Sequence, residues 1–200
     1  MKIKSLLLGI LLCVLLLGFS GCNKLENVTN SSVKLILWSL TGVDKDGADT
    51  TTILSDVLTK GSIFNDNVTG TFTSVLLDPT KVGASDSTFY QHVIIDQVDV
   101  KFTRADGLNI EGVDVPYGFS QKVYLTLDTG ETTESSLSFI LIQHNAKLES
   151  PLVELVNLGQ EHVLKLEAKI TFYARDLAGN RLEPAVGSIS IWCSNFADPE

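Results

Sequence analysis

Apolar residues are distributed along this chain in two ways. Residues 6–17 form one almost unbroken run, LLLGILLCVLLL. From Val33 onwards they come in short stretches rich in Val, Ile, Leu, Thr and Phe, separated by clusters of turn-forming residues. This spacing predicts strands at residues 33–40, 51–58, 70–77, 91–103, 122–127, 137–144, 163–174 and 187–193. No long stretch repeats with a 3.6-residue period, and residues 151–158 have room for only a turn or two of helix. Repeated short strands with turn signals predict an all-β fold, an antiparallel sandwich or barrel.

Alternation assigns the faces. Val98, Val100 and Phe102 oppose Asp99, Lys101 and Thr103. Leu166, Ala168, Ile170 and Phe172 oppose Lys165, Glu167, Lys169 and Thr171. Both patterns predict strands with one buried and one wet face. Residues 137–142 are apolar at Leu137, Phe139 and Leu141 and again at Ile140 and Ile142, which predicts a central strand or one with its outer face covered. Gly and Asn tolerate the positive φ that tight hairpins need. Asp106-Gly107 is therefore expected to fold residues 101–104 back onto residues 109–112. The segment Asp176-Leu177-Ala178-Gly179-Asn180 is expected to return residues 163–174 to the last strand.

The first run has another purpose. Lys2 and Lys4 precede it, and small residues follow it up to Cys22. A positive start, a short apolar core and small residues at a cut site make a secretory signal peptide. The run is shorter than the ~20 residues that a membrane-spanning helix needs. Ser20-Gly21-Cys22 resembles the bacterial lipoprotein signal, with Phe19 where Leu is usual. The resemblance implies that Cys22 is lipidated and becomes the first mature residue. Asn23, in place of an Asp, then points to the outer membrane where the host has two. An ordinary cleaved signal peptide, or a retained anchor, is the alternative. Residues 1–21 are thus expected to be a signal peptide, 22–32 a flexible tether and 33–200 one domain.

A second resemblance concerns that domain. Tyr173-Ala174-Arg175-Asp176-Leu177-Ala178-Gly179-Asn180 is similar to the penultimate strand and turn of bacterial immunoglobulin-like domains. Three further stretches extend the likeness to bacterial lipoproteins of unassigned function: Arg104 to Gly107, Gly112 to Tyr117 and Asn195 to Asp198. It implies an immunoglobulin-like β-sandwich in the cell envelope and no particular activity.

Charge narrows the partners. The net charge of −9 becomes −11 once Lys2 and Lys4 leave with the signal peptide. So acidic a chain repels nucleic acid and anionic lipid headgroups. Of three cysteines, Cys13 leaves and Cys22 carries lipid, so Cys193 has no intramolecular partner. Its alternation with Ile189 and Ile191 predicts a buried thiol rather than a reactive one.

Candidate chemistry is sparse. Asp44, Asp46 and Asp49 surround Gly47 as in a calcium loop, but Asp56 stands where a Glu would complete an EF-hand-type set. A solvated turn accounts for them equally well. His92, His144 and His162 have no zinc-ligand spacing. Ser120 lacks the second Gly of a nucleophile elbow, and Glu131 and Glu134 fall in a polar turn. Phe89, Tyr90 and Tyr117 are expected to pack within loops. Trp192 should face away from the core with Ser188 and Ser190, where it could dock a protein or a glycan. The sequence thus reads as a lipid-anchored, non-enzymatic binding or structural module, held to a membrane through Cys22. The alternatives are an envelope hydrolase with its site on sandwich loops and a calcium-stabilised adhesion module.

Overall fold

A computed structural model describes residues 31–43, 49–78, 88–129 and 134–196. Cys22, Asp44, Asp46 and Glu131 lie outside these residues. The strands are β1 (Val33–Val43), β2 (Asp49–Thr50), β3 (Thr52–Asp56), β4 (Asp66–Leu76), β5 (Val93–Thr103), β6 (Phe119–Leu127), β7 (Ser135–Ile142), β8 (Leu164–Asp176) and β9 (Ala185–Ser194). One 3-10 turn covers Phe89–Gln91 and another His144–Leu148, followed by the short helix α1 (Leu152–Leu155). Every strand expected from the apolar pattern is present, and the helical expectation falls on α1.

The strands form two sheets, ordered β2-β1-β4-β7 and β3-β9-β8-β5-β6. All pairings are antiparallel except that of β3 with β9. The fold is all-β, in two layers that share one core. Phe72 of β4 meets Phe172 of β8 edge to face, with ring centroids 4.7 Å apart. Phe139 of β7 approaches the same Phe172 ring at 5.3 Å. Gly187 admits the first sheet closely: a Cβ there would lie 2.6 Å from carbons of both Leu37 and Leu40.

Two bulges reset the alternation. In β5 the register slips between Ile95 and Gln97 on both sides, so Val93 and Ile95 face the core before the slip and Val98, Val100 and Phe102 after it. Asp96, at the slip, pairs with Arg175 at 3.3 Å. In β1 the slip between Leu37 and Ser39 turns Trp38 outward, where its indole N–H donates to Thr73 at 2.8 Å.

The two ends of the layers are built from different segments. Ser32, Leu77, Phe89–Gln91 and the 176–180 turn lie at one end of the layers, and residues 103–118, 142–163 and 194–196 at the other. The Asp176–Asn180 turn joins β8 to β9 as expected, with Gly179 at φ 91° and Asp176 accepting from Asn180.

Three expectations are corrected. Asp106-Gly107 does turn the chain, but residues 109–112 form no strand, and β5 pairs instead with β6 and β8. Side chains explain this: Asn109 accepts from the Arg104 amide, and Asp114 from that of Ile110, folding the segment locally. β7 is an edge strand rather than a central one, which leaves the covered outer face as the alternative that applies: Ile142 is buried and Ile140 half-buried. Its edge is covered by the Gln121 side chain, which donates to the Ile140 carbonyl at 2.6 Å and accepts its N–H at 3.1 Å. Finally, Phe89, Tyr90 and Tyr117 are exposed rather than packed away.

The ring cluster predicts a steep stability gradient. Phe172→Ala should cost about 3–5 kcal/mol, whereas Tyr124→Ala on the exposed face should cost less than about 0.5 kcal/mol. Urea denaturation checks both; similar midpoints for the two variants would refute the role of the cluster.

Candidate functional site

The outward face of β9 carries Trp192, 40% exposed, as the alternation of Ser188, Ser190 and Trp192 with buried Ile189, Ile191 and Cys193 dictates. Register sets its neighbours. Leu54 of β3 stands beside it on one side and Lys165 of β8 on the other. The Lys165 ammonium lies 4.7 Å from the indole centroid, within cation–π range. Leu54 is itself half exposed. An aliphatic side chain, an indole and a cation thus form a strip across three strands, which suits stacking against a sugar ring or a flat side chain. Further across this sheet, Asp99 accepts from Gln97 at 2.9 Å. Burial works against its charge, but hydrogen bonds from Ser120, Gln97 and Tyr173 prevail and hold its carboxyl below the usual carboxylate range.

A second grouping lies inside the end away from Ser32. The buried Lys147 ammonium donates to Asp66 Oδ1 at 2.9 Å and to the Asp56 carbonyl at 2.8 Å. Ser55 donates to Asp66 Oδ2 at 2.6 Å. Burial raises the Asp66 pKa, with the Lys147 charge and the bonds from Ser55 and Lys147 opposing it. Asp56 accepts from the Phe196 amide at 3.1 Å and from the Thr59 hydroxyl at 2.8 Å. This clasp joins β3, β4, the second 3-10 turn and the end of β9. No sequence signal points to it, because its members lie far apart along the chain and share no motif.

The other candidates are dispersed. Asp49 is exposed at the start of β2. Asp56, about twelve positions after Asp44 where a Glu would complete a calcium loop, is committed to the clasp. His92 pairs with Asp128 at 2.8 Å, His144 bonds to Asn65 and His162 to the Leu158 carbonyl. Among the described residues no three His, Cys, Asp or Glu converge as a metal site. Three surface grooves of about 370, 400 and 420 Å³ contain neither His nor Cys. Cys193 is fully buried, and desolvation with the nearby Asp66 charge pushes its thiol up to about 12. No family model matches the chain, and none of the curated proteins matches it either.

Two measurements follow from the buried groups. Lys147→Ala leaves the Asp66 carboxyl without its cation and should cost about 3–5 kcal/mol in urea denaturation; a loss below about 1 kcal/mol would refute the clasp. The Cys193 thiol is raised from 9.0 in the open chain to about 12 in the fold. Its contribution to stability is therefore complete below pH 9 and is lost as the pH rises towards 12. The slope is about 1.4 kcal/mol per pH unit, and Cys193→Ala should remove that part of the alkaline loss. Equal alkaline slopes in the two proteins would refute it.

Proposed function

We propose that this chain is a lipid-anchored protein of the cell envelope whose immunoglobulin-like sandwich serves as a non-enzymatic binding or structural module. The observation that carries the reading is the segment from Leu6 to Cys22, an apolar run ending in Ser-Gly-Cys, followed at Val33 by the first strand of a two-sheet body. Two or three acyl chains on Cys22 hold a protein on a membrane durably, where one holds it marginally. Asn23 after the anchor favours the outer membrane of a two-membrane host.

Strand order supports the immunoglobulin-like part. The run β9-β8-β5-β6 corresponds to strands G-F-C-C′ of such domains, and β1-β4-β7 to A-B-E. On that correspondence Phe72 and Phe172 occupy strands B and F, which a disulfide joins in antibody domains. An aromatic contact takes its place here. The binding part of the reading rests on the strip of Leu54, Trp192 and Lys165, which offers a protein or glycan partner a rigid aromatic anchor.

Cys22→Ser should abolish palmitate incorporation and shift the protein out of the membrane fraction; incorporation that persists would end the anchored reading. Trp192→Ala should remove the partner crosslinked in intact cells while lowering Tm by only a few degrees. An unchanged crosslinking pattern would overturn the role of the strip.

A further inference from the structure

Ser32 marks the place where the tether enters the fold, and it is bonded to both of its neighbours. Its carbonyl accepts the Leu77 amide at 2.9 Å, and its hydroxyl accepts the Gln91 side-chain amide at 3.2 Å. Leu77 is 59% exposed, and Phe89 and Tyr90, in the 3-10 turn that Gln91 ends, are 68% and 66% exposed. The two rings meet edge to face at 6.1 Å, and Phe89 also rests against His92 at 5.5 Å. The turn is not loosely held. Gln91 accepts from the Thr88 amide at 2.8 Å, and the His92 carbonyl accepts from Leu177 at 3.0 Å. A braced turn therefore presents two aromatic rings to solvent beside the chain entry, with Leu77 alongside.

From this we infer that the end of the fold bearing Leu77, Phe89 and Tyr90 is a membrane contact, with the rings seated at the headgroup–acyl boundary. The inference rests on the lipid anchor proposed above. Ten Cα–Cα steps separate Cys22 from Ser32. Fully extended they span no more than about 36 Å, and as a flexible coil they average about 17 Å. The anchor thus brings this end of the fold closest to the bilayer. Tyr suits the site because its amphipathic ring gains at an interface without needing lipid charge, and Phe adds apolar area that the acyl boundary can bury. That matters for a mature chain of net charge −11, which anionic headgroups repel. His92, the titratable group whose ring Phe89 rests against, is paired with Asp128 at 2.8 Å.

Tyrosines elsewhere provide internal controls. Tyr117, at the opposite end, is 57% exposed, and Tyr124 on β6 is 73% exposed. The mature full-length protein is purified with its lipid, reconstituted into phosphatidylethanolamine–phosphatidylglycerol vesicles and footprinted with hydroxyl radicals, with oxidation read by mass spectrometry. Phe89 should be protected, and Tyr90 should be oxidised roughly three-fold or more slowly than Tyr117 and Tyr124, at every protein-to-lipid ratio. Equal oxidation of the three tyrosines overturns the inference. Protection that fades as the protein is diluted into lipid marks contact between copies and also overturns it. The same spectra report the mass of the N-terminal peptide. Cys22 without acyl chains would defeat the anchor itself, whereas acylated Cys22 with an oxidised Tyr90 would defeat the membrane contact alone.

Discussion

The contact on which the two-layer arrangement depends is Phe172 against Phe72 and Phe139. Phe172 belongs to one sheet, and the two rings that meet it edge to face belong to the other. Each sheet alone would expose a row of Val, Ile and Leu to water. The rings supply the largest apolar area in that row, and their perpendicular packing adds about 0.5–1.5 kcal/mol per pair beyond area burial. With Cys193 the lone cysteine described and buried, no covalent link between the layers competes with this role. The chain is long enough to bury a core of this size without disulfides. The rest of the fold arranges strands so that the three rings can meet.

Stacking two sheets leaves edges and ends to be closed, and here polar groups do the closing. Gln121 supplies its amide to the Ile140 peptide as a neighbouring strand would, bridging the edges of β6 and β7. At the end away from Ser32, Lys147 donates to a carboxylate and a backbone carbonyl together, so that two of the three N–H groups of a buried ammonium are engaged. Such groups are costly to bury and costlier to leave unpaired. They fix which segments meet rather than how strongly the layers adhere. Asp96 and Trp38 show the same economy at the bulges: each is turned out of the core and finds one polar partner there.

Local chemistry was readable from the sequence, and pairing over distance was not. Alternation along Lys165 to Phe172 gave the faces of β8, because a period of two admits only one burial pattern. The same rule marked Ile189, Ile191 and Cys193 as inward and Trp192 as outward. The alternation read over Val98 to Thr103 does not extend back across Ile94 to Gln97, where one inserted residue moves the apolar set to the other parity. Ile140 and Ile142 left a central strand and a covered outer face both open, because an edge roofed by a glutamine looks the same in sequence as one covered by a strand. Asp106-Gly107 signalled a turn correctly, but its continuation depends on Asn109 and Asp114 capping backbone amides. The clasp of Lys147 with Asp66 spans 81 residues, and neither residue carries a motif. Cys22, Asp44 and Asp46 belong to segments outside the described residues, so their reading rests on sequence alone.

The distribution of exposed aromatics then has a directional logic. Trp192 pairs with Lys165 close to the start of β8, whereas Phe89 and Tyr90 lie beyond its far end. β8 has 13 residues, so these two features are separated by roughly 40 Å. A body tethered beside Phe89 and Tyr90 would hold the Trp192 strip away from the bilayer, where a large partner can approach it without competing with lipid. Rigidity matters more than affinity for that geometry. Lys165 holds the indole in place from one side and Leu54 flanks it on the other, so little conformational freedom remains to be lost on binding.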